Sequence, residues 1–229
     1  MIKVVISGYG RMGHMVEAVL KSRGIECAGA SEDISSFDKE IAKDCVCIDF
    51  TTPDAFRANF KSLAENFKAV VVGTTGWNDI EEEVKQYFAV CGTTLIYASN
   101  FSIGVNILFA AADNLAKMAA RFGGYKPAIE EIHHIHKLDA PSGTAKSLAA
   151  IVDAEMGGET PIESKRIGEV PGTHILTLEG PCDRITLSHE AFSREGLAAG
   201  AVEAALMAQK VKGVYEFKEL MFSDKIWTD

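Results

Sequence analysis

Between Glu130 and Ala145 the chain reads EEIHHIHKLDAPSGTA, which gathers three histidines, a lysine, acidic residues and a serine-led helix start into one short stretch. These residue types act on protons and anions. A histidine, with an ordinary pKa of about 6.5, titrates near neutrality and so serves as a general acid or base. Ser142 is a good N-cap, and the helix it opens has first-turn N–H groups without intrahelical partners and a dipole that favours negative charge. Gly143 lets a ligand approach that helix start closely. Ser142, Gly143 and Thr144 are therefore expected to seat an anionic substrate group, with Lys137 as a nearby cation or proton source.

The elements that must position these groups follow from the flanking sequence. Ala128 to His133 has the apolar content of a strand, and successive strand side chains point to opposite faces, so His133 and His134 cannot share one. Pro141 biases Ala140 away from the helical region, which places a loop between strand and helix. From Gly143, GTAKSLAAIVDAEM carries Leu148, Ile151 and Val152 on one side of a helix. A metal site is the competing reading of the histidines. Their alternate facing, and the lack of a further Cys or Asp at zinc-ligand spacing, favour acid or substrate chemistry, so no metal ligand is assigned.

A second chemical motif stands at the amino end. The run IKVVIS reads as a strand buried on both faces, Gly8-Tyr9-Gly10-Arg11-Met12-Gly13 is a full G-x-G-x-x-G, and MVEAVLKS follows with helical spacing. The first glycine permits a tight turn, the second lets backbone approach a pyrophosphate, and the third allows close helix-to-strand packing. Glu32 ends the next strand-like run, Ile25 to Ala30, about 20 residues on, where a carboxylate would bind the ribose hydroxyls of NAD. Asp33 follows it, and two acids there should repel a 2′-phosphate, so NADH is expected over NADPH. Further strand ends at Gly73-Thr74-Thr75 and at Ala98-Ser99-Asn100-Phe101 lie where open α/β sheets bind ligands.

The bulk properties suit such an enzyme. The chain has 229 residues, 47% hydrophobic and 24% charged, enough for a real core in one large domain or two smaller ones. A net charge of −9 argues against nucleic acid or an anionic membrane surface as partner. No apolar run reaches about 18 residues and no signal core follows the first methionine, so the cytoplasm is the expected location. Five cysteines, Cys27, Cys45, Cys47, Cys91 and Cys182, read as reduced and mostly buried thiols without redox partners.

The βα rhythm of the first hundred residues implies a doubly wound parallel sheet. From Ile103 the pattern changes. Val105 to Arg121 reads as a long apolar-striped helix ended by Gly123-Gly124, and Ser164–Ile167, His174–Glu179 and Asp183–Ala191 read as strands with no helices between them. That is a mixed or antiparallel sheet in a second, α+β domain over 102–196. A helix over 196–212 and a strand over 214–217 would return the chain to a first domain made of 1–101 and 197–229, facing the histidine stretch across a cleft.

In order along nearly the whole chain, GYGRMG, IDFTTP, VVGTTGW, ASNFSIGVN and HHIHKLDAPSGTA resemble the 4-hydroxy-tetrahydrodipicolinate reductase (dihydrodipicolinate reductase) family of the bacterial diaminopimelate and lysine pathway. The resemblance implies a Rossmann-type nucleotide domain, a central substrate and oligomerisation domain, a homotetramer, and reduction of a small cyclic dicarboxylate by NADH or NADPH. It implies that His133 is the proton donor, Lys137 the second catalytic group, His134 a substrate contact, and Gly143 with Thr144 the carboxylate seat. Gly8 to Gly13 match its pyrophosphate turn, Glu32 its ribose acid, Gly73 to Thr75 its second turn and Ala98 to Phe101 its nicotinamide stretch. Ile135 and Thr52 stand where many members carry Arg, the glycine turn is one residue shorter than the commonest form, and the loop after Glu32 is abbreviated. A non-catalytic nucleotide sensor, a metal-dependent hydrolase or lyase, and a related reductase such as aspartate dehydrogenase are the rival readings.

Overall fold

An apolar run without polar alternation is stable as a strand only if both its faces are covered. β1 (Lys3–Ser7) meets that condition: Val4, Val5 and Ile6 are fully buried. The computed structural model describes residues 2–227, which fall into two compact units, Met1–Phe101 with Leu197–Asp229, and Ser102–Gly196.

In the first unit β1 is followed by α1 (Arg11–Ser22), β2 (Glu26–Ser31), the short α2 (Lys39–Ala42), β3 (Val46–Asp49), α3 (Pro53–Asn66), β4 (Ala69–Val72), α4 (Glu81–Cys91) and β5 (Thr94–Tyr97). With β10 (Val214–Glu216), which comes from the carboxyl end of the chain, the strands form a six-stranded, all-parallel sheet in the order β10-β5-β4-β3-β1-β2. Side chains alternate across it. Val5, Cys47, Val70, Val72 and Leu95 face a cluster with Phe56, Phe60 and Leu63 of α3 and Val84 and Phe88 of α4. Their neighbours Val4, Ile6, Val46, Ile48, Val71 and Ile96 are also buried, so the opposite face is covered too. This is the doubly wound Rossmann-type sheet expected from the βα rhythm.

Pro53 opens α3 behind an N-cap at Thr52, whose hydroxyl accepts from Ala55 N. Thr52 is thus committed to starting a helix.

In the second unit α5 (Ile103–Phe122) and β6 (Lys126–His133) precede α6 (Gly143–Met156), β7 (Ile162–Arg166), β8 (Thr173–Glu179) and β9 (Arg184–Glu190). The sheet order is β7-β6-β8-β9, with β7 parallel to β6 and the other pairings antiparallel. One face packs Ile129, Leu176 and Leu178 against Leu108, Ala112 and Ala116 of α5 and Leu148 and Val152 of α6. This is the mixed sheet of an α+β layer. The chain then returns through α7 (Glu195–Met207), β10 (Val214–Glu216), α8 (Phe217–Met221) and α9 (Asp224–Trp227). The last two helices lie where the sequence offered only a short tail. No described helix is long and apolar enough to cross a membrane.

The cysteine expectation needs correction. Cys45 and Cys47 are buried and Cys27 is half-buried, but Cys91 and Cys182 are exposed; all five are unpaired thiols. Cys91 ends an amphipathic helix and Cys182 sits in the turn between β8 and β9, where apolar neighbours in sequence do not imply burial.

Candidate active site

The cofactor turn is built by steric omission. Gly8 has φ +84°, and a β-carbon there would lie 2.5 Å from the Phe50 carbonyl oxygen. Gly13, in the first turn of α1, presses on the same loop, since its β-carbon would stand 2.3 Å from the Gly8 carbonyl oxygen. Gly10, the N-cap of α1, faces open space. Two closed glycines, one open glycine and a helix start give the cradle that a pyrophosphate fits, so the residues present suit a dinucleotide. Arg11 and Met12 are the first two residues of α1. Tyr9 leans on His14, with ring centroids 4.1 Å apart, and its hydroxyl donates to Glu17.

Glu32 is exposed just past β2, while the Asp33 carboxylate turns back to cap Ile34–Ser36 through Ser35 N. Gly73, Thr74 and Thr75 follow β4, and Ala98 to Phe101 follow β5. Thr74, Thr75, Ala98 and Ser99, together with Trp77 and Glu216, line one cavity of about 260 Å³. Two assigned side chains turn inward. The Thr74 hydroxyl donates to Asp49 at 2.5 Å, and the Phe101 ring, 1% exposed, packs on Phe217 at 4.9 Å. At these two positions the backbone alone is left to meet a ligand.

The second unit holds the histidine chemistry. β6 alternates so that Ile129, Glu131 and His133 face its covered side. Register then places Ser164, Glu131, His174 and His189 in one row across all four strands, with Arg166 beside His133 in the row above and Ile162, Ile129, Leu176 and Leu187 in the row below. An apolar sheet face therefore becomes polar at one end. α6 begins at that end, where the Ser142 hydroxyl accepts from Ala145 N and lies 3.3 Å from His174 Nε2. Gly104, near the start of α5, leaves room for the His189 ring, which a β-carbon would meet at 2.8 Å.

His133 Nδ1 and Glu131 Oε2 face each other in close contact, and neither has another hydrogen-bond partner. Arg166 donates to the other Glu131 oxygen at 3.0 Å and reaches the carbonyls of Lys165 and Asp139 at 2.7 and 2.6 Å. Lys137 donates to Asp139 at 2.7 Å. One arginine thus fixes both the carboxylate behind His133 and the loop that carries Lys137.

Electrostatics follow from burial and these partners. Burial pushes the His133 pKa below the ordinary histidine value, and Glu131 only partly restores it. Burial, with the neighbouring His133, pushes His174 down to about 4. Burial lowers His189 as well. For Glu131, burial acts upward but is outweighed by the Ser164 hydroxyl, the Arg166 guanidinium and His133, which hold the carboxylate below its usual range. The resting cluster is therefore three neutral imidazoles around an ionised acid. The expectation of a histidine poised at neutrality gives way to one that needs a nearby anion to hold its proton.

His133, Lys137, Ser142, Gly143 and Thr144 lie on consecutive parts of this end of the unit, with Gly143 facing open space. His134 is not in the row: it sits half-buried past β6, its ring nearest His136 at 6.1 Å. The Ser142 side chain is occupied by its cap and by His174, so what it offers a ligand is the helix start rather than a free hydroxyl. Glu131, Arg166, His174 and His189 escaped the sequence reading. Glu131 was detectable, because i and i+2 on a strand share a face. The other three become neighbours only through register. Glu131, His133 and His174 also bring three potential metal ligands within 4.8 Å, which no sequence spacing revealed, although Arg166 already occupies the acid.

Two family models match the chain, described as "Dihydrodipicolinate reductase, N-terminus" over residues 2–101 and "Dihydrodipicolinate reductase, C-terminus" over residues 104–221. A 4-hydroxy-tetrahydrodipicolinate reductase of Christiangramia forsetii is 38% identical over 96% of this chain and 98% of its own length. One of Methanocorpusculum labreanum is 33% identical over 96% of this chain and 99% of its own. Among solved structures, a dipicolinate-bound dihydrodipicolinate reductase from Paenisporosarcina sp. TG-14 has the same fold, with a TM-score of 0.79, 22% identity, and coverage of 94% of this chain and 97% of that one. Matched end to end in both its units, this chain belongs to the dihydrodipicolinate reductase family.

Proposed function

We propose that the chain reduces 4-hydroxy-tetrahydrodipicolinate to tetrahydrodipicolinate with NADH or NADPH, with His133 and Lys137 as its catalytic groups. The observation that carries the residue assignment is the close contact of His133 Nδ1 with the Glu131 carboxylate at the polar end of the sheet where α6 begins. A nicotinamide cofactor bound at the glycine turns supplies the hydride, with Asn100 and the neighbouring strand-end backbone beside its ring. The start of α6 at Ser142, Gly143 and Thr144 holds a substrate carboxylate through backbone N–H groups and the helix dipole. Lys137 and His134 supply further polar contacts to the ring substituents. His133, with Nδ1 fixed by Glu131, presents Nε2 to the substrate and gives up the proton that balances the transferred hydride. Water leaves the hydroxylated ring before or during reduction.

NADH is the preferred donor in this reading, because the exposed Glu32 carboxylate suits ribose hydroxyls and repels a 2′-phosphate. The outward face of the four-stranded sheet, which carries Ile132 and Ile175 away from α5 and α6, joins copies into a homotetramer. A dihydrodipicolinate synthase coupled to this protein, assayed with each nicotinamide, tests the reaction. Oxidation of NADH faster than NADPH is expected, and His133→Gln and Lys137→Ala should each lower kcat at least a hundredfold while NADH affinity stays within about twofold. Full turnover in both variants would overturn the site, and no turnover with either cofactor would overturn the function.

A further inference from the structure

The sequence IDFTTP contains an acid at the end of a buried strand that the reaction does not use. Asp49 is 1% exposed, yet it is surrounded by donors. Ser7 Oγ donates to Oδ2 at 2.6 Å, Thr74 Oγ1 to Oδ1 at 2.5 Å, and Thr51 Oγ1 to Oδ1 at 3.0 Å. Its backbone carbonyl accepts from Gly73 N at 2.8 Å, and Thr51 N donates to Thr74 Oγ1 at 2.7 Å.

These bonds tie together the ends of three strands, β1, β3 and β4, at the points where the chain leaves the sheet. Phe50 extends the same junction. Its carbonyl fills the space left by the missing Gly8 β-carbon, and its ring fills that left by Gly73, where a β-carbon would come within 2.1 Å. The ring also meets Phe101 edge-on at 6.4 Å. Thus Asp49, Phe50 and Thr51 touch all three strand-end segments assigned to the cofactor.

We propose that Asp49 is a positioning residue for the dinucleotide, holding the Gly8 and Gly73 turns in register through Ser7, Thr51 and Thr74 without touching the ligand itself. The two oxygens of a carboxyl group offer about four acceptor positions, enough for three converging hydroxyls. Removing it leaves buried hydroxyls unpaired, and the two turns lose their common anchor. The proposal rests on the reading that these turns bind NADH.

NADH and dipicolinate binding to purified wild-type, Asp49→Leu, Asp49→Asn and Ser7→Ala proteins, by nicotinamide fluorescence and calorimetry, tests it. Leu has similar bulk but no acceptor, so Asp49→Leu should weaken NADH at least tenfold and leave dipicolinate within about twofold. Asn keeps the Oδ1 acceptor, and its amide can donate to a reversed Ser7 hydroxyl, so Asp49→Asn should restore NADH affinity to within about threefold of wild type. Ser7→Ala, which removes one anchor wholly inside the sheet, should weaken NADH about threefold, and it decides the matter if Asp49→Leu does not fold. Unchanged NADH affinity in Ser7→Ala and in any folded Asp49→Leu, or equal loss of both ligands, would overturn the positioning role alone. A wild-type protein that binds neither NADH nor NADPH would overturn the dinucleotide reading and this role with it.

Discussion

Acidification from pH 7 to pH 5 should destabilise the protein through His174, and the size of the effect can be worked from its surroundings. The ring is 4% exposed, sits between Glu131 and His189 in the polar row with the His133 ring 5.2 Å away, and contacts the Ser142 cap through Nε2 at 3.3 Å. Glu131 lies across the register from it, and Lys137 acts on it from the loop. Burial holds its pKa at about 4, against 6.5 for the free side chain. Between those values the unfolded chain binds a proton that the folded chain refuses, so stability rises with pH through this window and is lost as pH falls. The full term is roughly 3 kcal/mol, and about 2 kcal/mol of it lies between pH 7 and pH 5. The structural cause is specific. His174 Nδ1 is buried without a hydrogen-bond partner and Nε2 meets one neutral hydroxyl, that of Ser142, so a charged ring gains little in exchange for the water it gives up. Urea denaturation of wild type and His174→Gln at pH 5, 6 and 7 measures the effect. The variant should lose roughly 2 kcal/mol less than wild type on acidification, because the titration of His174 itself is absent from it. Identical pH slopes would refute the assignment of a buried neutral imidazole at this position.

Other consequences are simpler. Gly13→Ala forces a β-carbon to within 2.3 Å of the Gly8 carbonyl oxygen, so it should cost roughly 1–3 kcal/mol of thermal stability and weaken NADH binding at least tenfold, measured by melting and by fluorescence titration. Glu131→Gln removes the charge that supports protonated His133, so kcat should fall at least tenfold, and the loss of activity with rising pH should set in at lower pH than in wild type. Ile175→Lys places a cation opposite Glu130 on the outward face of the sheet, where the fold can bear it, and if that face joins the proposed tetramer, sedimentation should show smaller species than for wild type.

The elements of the first unit were readable because each carries its own punctuation. Ala69–Val72 and Thr94–Tyr97 are short apolar runs closed by turn residues, and both form strands that end where Gly73 and Ala98 were expected to end them. The helix at Gly143 was equally plain from its Ser142 cap. Membership of β6, β7, β8 and β9 in one mixed sheet was legible as a class but not as a register. His174 and His189 each look like ordinary strand residues until pairing sets them beside Glu131. Thr74 and Phe101 show the opposite failure. Their neighbourhood in sequence marks a ligand-facing strand end, but the direction of each side chain is decided by partners from distant segments, Asp49 and Phe217.

Charge balance links the two halves of the proposed chemistry. Lys137 is paired with Asp139 and Arg166 with Glu131, so two cations already meet two carboxylates before any substrate arrives. A cyclic dicarboxylate would therefore bring negative charge to a site whose Lys137 and Arg166 are already matched. Backbone N–H groups at the start of α6 take up part of it. The remainder raises the pKa of the nearest neutral base, because an anion close by favours the charged form of an imidazole. His133 is that base, kept unprotonated by burial and held in orientation by Glu131. In the proposed mechanism a docked dicarboxylate would therefore raise the His133 pKa and favour its acid form when there is a substrate to protonate.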